Sequence, residues 1–301
     1  MSIAKYIKEI GRGKQGARSL TRDQAADLFG QVLDGSVTDL EIGGFCLAMR
    51  IKGETAQEMA GFLDATYLRL QQVPAGERPL VVIPSYNGAR KLPVLTPLLA
   101  LLLARAGCPV LVHGAASEST RVFTSSVLEA LGVTALTNIG AVPDATVVFA
   151  PTALLCPGLQ RLLEVRRVVG LRNPAHSLVK VMNPSAGKSL LVSSFTHPEY
   201  AVSMADTFVL TRANAMLLRG TEGEAVADPR RMPQMDGFLG GERILLQEAQ
   251  TGALATLPDI PRALDAASTA DYIGAVLAGA FPVPAPIARQ VAHILHMTNQ
   301  L

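Results

Sequence analysis

Eight residues, Pro84-Ser85-Tyr86-Asn87-Gly88-Ala89-Arg90-Lys91, stand where an α/β protein would meet a phosphate. They follow the apolar run Leu80-Val81-Val82-Ile83 and precede the apolar segment Thr96 to Gly107, after which comes Val110-Leu111-Val112. That order predicts strand, loop, helix and strand, with the loop facing a helix N-terminus, a position suited to anions. Thr96 before Pro97 is expected to cap and open the helix, and Gly107 to close it. The residue types fit a tight mononucleotide cradle poorly. Such a cradle needs small residues, so that backbone N–H groups can close on the oxygens. Only Gly88 and Ala89 qualify; Pro84 has no N–H, Tyr86 is bulky, and Arg90 and Lys91 bring charge instead.

The basic residues suggest a second chemistry. Lys5, Lys8, Arg12, Lys14 and Arg18 stand against the single acid Glu9, and Arg161, Arg166, Arg167, Arg172, Lys180 and Lys188 against Glu164. Arg90, Lys91 and Arg121 add charge near the loop. Gathered beside one groove, such residues would make about six to ten phosphate contacts, giving non-specific affinity that collapses with salt. Taken singly, each cluster reads as a solvated helix face. With no Trp and 5% aromatic residues, base stacking is expected to contribute little, leaving backbone electrostatics to carry binding. His113, between a strand and Gly114, reads as a cleft ligand or, more plainly, a hydrogen-bonded loop histidine. His293 and His296 are spaced i, i+3 without an acidic partner and read as surface. No Ser-His-Asp, Cys-His or zinc-spaced set occurs.

The frame that must position these residues follows from composition and period. A chain of 301 residues, 49% hydrophobic and 17% charged with a net charge of +2, can bury one large core or two modest ones. Cys46, Cys108 and Cys156 are dispersed in apolar surroundings and read as buried thiols of a reducing compartment. No signal-peptide core is present, and Leu92 to Ala104 is too short to span a bilayer. A soluble cytoplasmic protein with no membrane partner is expected. Helices are predicted behind Thr21-Arg22-Asp23-Gln24, Thr38-Asp39-Leu40-Glu41 and Thr55, and Val73 to Pro79 reads as a linker. Beyond it, strands near 80–83, 109–113, 146–150, 190–195 and 215–219 alternate with helices, and 264–300 returns to helix, split at Phe281-Pro282-Val283-Pro284. The expected fold is α/β: a helical domain over 1–73 and a larger domain over 79–301 with a mostly parallel sheet flanked by helices. A helical stretch near 160–185 is expected to pack with the first domain.

Val37 to Thr55 closely resembles the N-terminal domain of the anthranilate phosphoribosyltransferase family, which shares its fold with pyrimidine nucleoside phosphorylases. Ser126-Val127-Leu128-Glu129-Ala130-Leu131-Gly132-Val133, Phe149-Ala150-Pro151, Val165-Arg166-Arg167-Val168-Val169-Gly170-Leu171-Arg172 and Asn183-Pro184 resemble further family motifs, in order, over about three-quarters of the chain. The resemblance implies a homodimer formed by the helical domains and an active site between the two domains. By position it implies an old substrate cleft at Ser85, Asn87, Gly88, Thr96, His113, Gly114, Ser119, Arg166 and His176. Arg166 matches the family's anthranilate-contacting arginine, and Ser119 and Thr120 its phosphate-binding serines, although a helix cap is the plainer reading for that pair.

The same resemblance exposes departures. The family's G-T-G-G-D-G becomes Pro84-Ser85-Tyr86-Asn87-Gly88-Ala89, its N-I-S-T becomes Val94-Leu95-Thr96-Pro97, and its K-H-G-N-R becomes Val112-His113-Gly114-Ala115-Ala116. Losing one anion-stabilising donor costs about 3–4 kcal/mol, or 10²–10³ in rate, so losing several together should abolish the transfer chemistry. The family's metal-binding Asp-Glu pair falls near Ala225-Val226. Glu222 and Glu224 are weak candidates for residual Mg²⁺, a polar turn being the plainer account, and no cofactor is otherwise expected. Pro84 to Lys91, Leu95 to Ala100, His197-Pro198-Glu199-Tyr200 and Gly220-Thr221-Glu222-Gly223-Glu224 resemble a divergent branch of dimeric proteins that bind DNA and RNA without sequence specificity. The expectation is non-specific binding of a DNA or RNA backbone by Lys5, Lys8, Arg12, Lys14, Arg90, Lys91, Arg166, Arg167 and Arg172. The alternatives are an active phosphoribosyltransferase using Mg²⁺ and an aromatic acceptor, and a non-enzymatic interaction scaffold.

Overall fold

The computed structural model describes residues 2–13, 15–115, 120–253 and 258–301. Four helices open the chain: α1 (Ala4–Ile10), α2 (Arg22–Asp34), α3 (Asp39–Lys52) and α4 (Ala56–Tyr67). The last three start at Thr21, Thr38 and Thr55, each in a reciprocal capping box with Gln24, Glu41 or Glu58. Phe29, Phe45 and Phe62 meet at their centre, Phe29 stacking on Phe62 with centroids 4.6 Å apart. Glu58 is fully buried, and its carboxylate accepts hydrogen bonds from Lys52 Nζ at 2.6 Å and from the Leu20 and Thr55 N–H groups at 2.9 Å. This holds the α3–α4 turn, Gly53-Glu54, against the rest of the molecule.

The larger domain comprises β1 (Leu80–Ser85), α5 (Thr96–Arg105), β2 (Val110–Gly114), α6 (Thr124–Ala130), β3 (Val147–Pro151), α7 (Thr152–Leu155), α8 (Pro157–Val169), α9 (Ala175–Val181), β4 (Ser189–Phe195), α10 (Pro198–Leu210), β5 (Ala215–Arg219), β6 (Met235–Leu239), β7 (Glu242–Gln247), α11 (Ala266–Leu277) and α12 (Ala285–Thr298). The seven-stranded sheet has the order β3-β2-β1-β4-β5-β6-β7. Its first five strands are parallel, and β6 and β7 add an antiparallel edge that the sequence reading did not foresee. The small helical domain, the larger α/β domain and the mostly parallel sheet agree with the expected fold class.

Strand parity divides the core. Leu80, Val82, Leu111, Leu191 and Leu217 face one way and pack with the helical domain, α8 and α9 in a single cluster. Val81, Ile83, Val110, Val112, Leu190, Val192, Met216 and Leu218 face the other way, against α5, α6, α11 and α12. The helical domain therefore shares its core with one face of the sheet. α8 packs on α2 and α9 on α4, which brings the 160–185 region against the first domain.

Two local readings are corrected. Thr96 is the first residue of α5 rather than its cap; the cap position is Leu95, without a side-chain hydrogen bond. His113 lies within β2, not on a loop, and is completely buried.

Candidate functional site

The sheet order reverses between β1, which is followed through α5 by β2, and β4, which lies on its other side. In an open α/β sheet such a switch point leaves a crevice outside the carboxyl ends of the strands, where ligands bind. Here the crevice is a cleft of about 760 Å³. Its walls come from the α3–α4 turn, the α8–α9 region, the start of α10 and the loop after β1.

The floor holds an arrangement that sequence reasoning missed. Past Ser85, the chain presents amide groups at Asn87 and Gly88, as an anion-binding loop would, but the anion belongs to the chain itself. Glu224, 1% exposed, accepts hydrogen bonds from the Asn87 N–H at 2.7 Å and the Gly88 N–H at 2.8 Å on Oε1. Its Oε2 accepts from Ser85 Oγ, and more loosely from Thr96 Oγ1 at 3.3 Å and Thr124 Oγ1 at 3.4 Å. Glu222 does the same one step along the loop, with Oε2 accepting from the Arg90, Lys91 and Leu92 N–H groups at 2.7, 3.1 and 3.4 Å. To reach them, Glu222 adopts φ +53, a left-handed conformation that costs a side-chain-bearing residue about 1–2 kcal/mol. Gly223 at φ +88 packs so tightly that a Cβ would lie 1.7 Å from Asn87 Nδ2. Ala89 pairs with Val122 in an isolated antiparallel bridge, and Arg121 donates to the Asn87 carbonyl at 2.9 Å, which fixes the loop from its other side.

The fit of Mg²⁺ can be tested on these donors. Both oxygens of Glu224 and Oε2 of Glu222 meet N–H or O–H donors, a shell that suits a carboxylate rather than the ligand set of a cation. Glu224 therefore does not fit the ion, and no group of three His, Cys, Asp or Glu side chains placed for a metal occurs among the described residues.

Beneath the floor, Tyr86 Oη is hydrogen-bonded to His113 Nδ1 and to Thr152 Oγ1, each at 2.8 Å. Burial pushes the His113 pKa down to about 3, opposed in part by the Met182 backbone, so the ring is neutral. It is a structural histidine and does not line the cleft. Gly114 is needed where β2 passes β1, since a Cβ there would lie 2.1 Å from the Ser85 carbonyl oxygen.

The walls carry the opposite charge. Arg50, Arg90, Arg121, Arg166, Arg172 and Lys180 line the cleft against the carboxylates of Glu54, Glu199 and Glu222. Lys180 Nζ donates to the Gly223 carbonyl at 3.0 Å and the Ser194 carbonyl at 3.4 Å. Burial pushes its pKa down to about 8, with the Glu224 charge raising it and Arg172 lowering it. Arg166 and Arg167 sit in the last turn of α8, where the helix dipole favours cations.

Of the residues expected to bind nucleic acid, Arg90, Arg166 and Arg172 line this cleft, and Lys91 and Arg167 are exposed neighbours of two of them. Lys5, Lys8 and Arg12 do not; they lie on or just after α1, where Lys5 pairs with Asp27 at 3.8 Å and Arg12 with Glu9 at 2.6 Å. Lys14 and Ser119 fall outside the described residues. Of the expected old substrate cleft, Asn87, Arg166 and His176 line the space, whereas Ser85, Gly88 and Thr96 are committed to Glu224. Arg50 and Lys180 were not singled out, although Arg50 lies inside the Val37 to Thr55 segment and Lys180 inside the basic run after Arg161. His197 and Tyr200 also line the cleft, their ring centroids 6.4 Å apart.

Residues 4–67 match the glycosyl transferase family helical bundle domain. The uncharacterized protein YbiB of Escherichia coli (strain K12) is 42% identical over 308 aligned positions, covering the whole of this chain and 95% of that protein. An anthranilate phosphoribosyltransferase of a Nocardioides species is 28% identical across 86% of this chain and 78% of its own. Among solved structures, anthranilate phosphoribosyltransferase of Thermus thermophilus superposes with a TM-score of 0.76 at 21% identity, over 98% of this chain and 89% of that one. The Saccharomyces cerevisiae enzyme, solved with PRPP and Mg, gives a TM-score of 0.71 at 14% identity, over 99% and 89%.

Proposed function

Because the chain belongs to the anthranilate phosphoribosyltransferase-like glycosyl transferases, alongside YbiB, we propose that it is a catalytically degenerate member that binds nucleic acid through phosphate contacts. The observation that carries this reading is the division of charge within one cleft. The amides that could seat a diphosphate are spent on Glu222 and Glu224, while the surrounding arginines and Lys180 remain on the walls. A phosphoribosyl donor would have to displace two carboxylates that already match its own charge and geometry. A phosphate backbone needs no such displacement, because it meets the guanidinium groups of Arg50 and Arg90 at the exposed rim.

The protein is proposed to act as a homodimer. α3 exposes Leu40, Leu47 and Ile51 at 87, 43 and 68%, spaced i, i+7 and i+11 along one helix face. Dimerisation would double the number of basic clefts on one particle. A cytoplasmic location belongs to the same reading; Cys46, Cys108 and Cys156 are buried and unpaired, and no helix among the described residues is long and apolar enough to cross a membrane.

Filter binding to random-sequence DNA at 50 and 200 mM salt tests the reading. Affinity is expected to fall about 10³-fold across that range if about six phosphates are contacted. The transferase alternative draws on the likeness to the anthranilate enzymes and on Arg166 and His176 in the cleft. Turnover of phosphoribosyl pyrophosphate and anthranilate with Mg²⁺ would establish it and overturn the degenerate reading. Sedimentation of a Leu47→Asp/Ile51→Asp variant as monomer, against a dimeric parent, tests the self-association.

A further inference from the structure

A small side cavity adjoins the cleft where the helical domain meets α9 and α10. Glu54 stands between the two spaces, lining both together with Ser177, Tyr200, Ser203 and Met204. The side cavity holds about 20 Å³, enough for one water molecule. Of the hydroxyls around it, Thr55 Oγ1 already donates to Glu58 at 3.0 Å and Thr207 Oγ1 to the Ser203 carbonyl at 2.8 Å.

Glu54 belongs to a two-residue turn with Gly53, which takes φ +81 to end α3 before Thr55 caps α4. The flanking caps set this turn, so the Glu54 side chain is carried to the junction whatever it gains there. Among the described residues its carboxylate has no ion pair, because the neighbouring Lys52 is taken by Glu58 at 2.6 Å. Burial raises the Glu54 pKa above the ordinary carboxylate value. The Glu58 charge raises it further, against lowering by its own backbone N–H, Lys52 and Arg50. The other titratable groups at this junction are His176 and Lys180 of α9 and His197, Glu199 and Tyr200 at the start of α10, with Arg166 and Arg172 across the cleft.

We propose that Glu54 is a proton-controlled spacer between the two domains. Ionised, its carboxylate draws a water into the side cavity and holds the α3–α4 turn off α9 and α10. Protonated, it sheds the cost of a charge taken out of water, and its O–H can donate to the hydroxyl oxygen of Ser177 or Ser203. The turn then settles against those helices. A carboxyl whose pKa is higher in the folded than in the unfolded chain stabilises the fold fully below its ordinary value near 4.5. That stabilisation is lost as pH rises through the folded value. The device depends on the junction alone and not on what the cleft binds.

The carboxyl titration of Glu54, followed by carbon NMR on the full chain, is expected to have its midpoint above that of an unfolded glutamate. Glu54→Gln keeps the shape and removes the charge. Its urea midpoint should lie above the parent's at pH 7.5 and coincide with it at pH 4. The acid loss from His113 is common to both proteins and cancels. Hydrogen-exchange protection over residues 53–58 and 200–207 should be severalfold higher in this variant at pH 7.5, with the difference gone at pH 4. Glu199→Gln, which removes an exposed carboxylate from the same cleft, should follow the parent throughout. A Glu54 midpoint at or below 4.5 would overturn the proposal, and that measurement needs no variant to fold. So would parallel pH profiles for parent and Glu54→Gln, or a Glu199→Gln variant that gains as much.

Discussion

The floor and the walls of one cleft treat negative charge in opposite ways. On the floor, backbone amides and hydroxyls already hold two internal carboxylates, and Glu224 is 1% exposed. On the walls, arginines and Lys180 line the cleft, with Arg50 and Arg90 exposed and Lys180 bonded to the Ser194 and Gly223 carbonyls. An anion-binding position is thus not the same as an anion site: what matters is whether the donors still have somewhere to point. The contrast also separates two environments, since the floor's carboxylates are held by amides and hydroxyls while the walls set the guanidinium groups of Arg50 and Arg90 beside solvent.

The contrast can be broken most directly at the walls. Charge reversal at Arg90, Arg166 and Arg172 together is expected to reduce DNA affinity more than about 10³-fold at 100 mM salt and to lower the salt slope by about 0.9 per lost contact. Titrations at several salt concentrations check this, and a variant that keeps the parental slope would place the phosphates elsewhere. At the floor, Glu224→Ala strips two amides and up to three hydroxyls of their acceptor, costing about 3–5 kcal/mol of stability. Urea unfolding measures that loss. Inorganic pyrophosphate or acetate should restore part of it by filling the vacated seat, and a fully stable variant would show the seat to be unnecessary.

Acidity sharpens the same division. The folded pKa of His113 is about 3, below its ordinary value near 6.5, so between these limits the unfolded chain binds the proton and the native chain does not. Stability from this group is therefore present above pH 6.5 and is lost as pH falls toward 3, at up to about 1.4 kcal/mol per pH unit. A His113→Gln variant should show a shallower acid slope in denaturant titrations at successive pH values. The smallest effect is expected at Lys180, which loses its charge as pH rises through about 8. DNA affinity of the parent should fall severalfold more between pH 7 and 9 than that of a Lys180→Met variant, and parallel pH profiles would remove Lys180 from the contact set.

Much of the frame was legible from local signals. The capping boxes at Thr21, Thr38 and Thr55 and the apolar runs at Leu80, Val110 and Leu190 each act within a few residues and appear where expected. β6 and β7 were not read, because Asp236 and Gly237 interrupt the first and Ile244 and Leu245 of the second remain half-exposed at an edge. The floor escaped for a different reason. Asn87, Gly88 and Thr96 meet Glu224 across more than 120 positions, so nothing near Thr96 distinguishes a helix cap from a donor to a distant carboxylate. The proximity of His197 and Tyr200 escaped because composition counts rings without saying that two of them share one cleft.

Gly223, wedged against Asn87, makes the present arrangement hard to undo by single steps. Trading Glu224 away first orphans the donors beneath it, whereas rebuilding the strand-end loop first strands a carboxylate in the interior. Either order leaves buried polar groups without partners, so the turn and the strand-end loop are bound to change together or not at all.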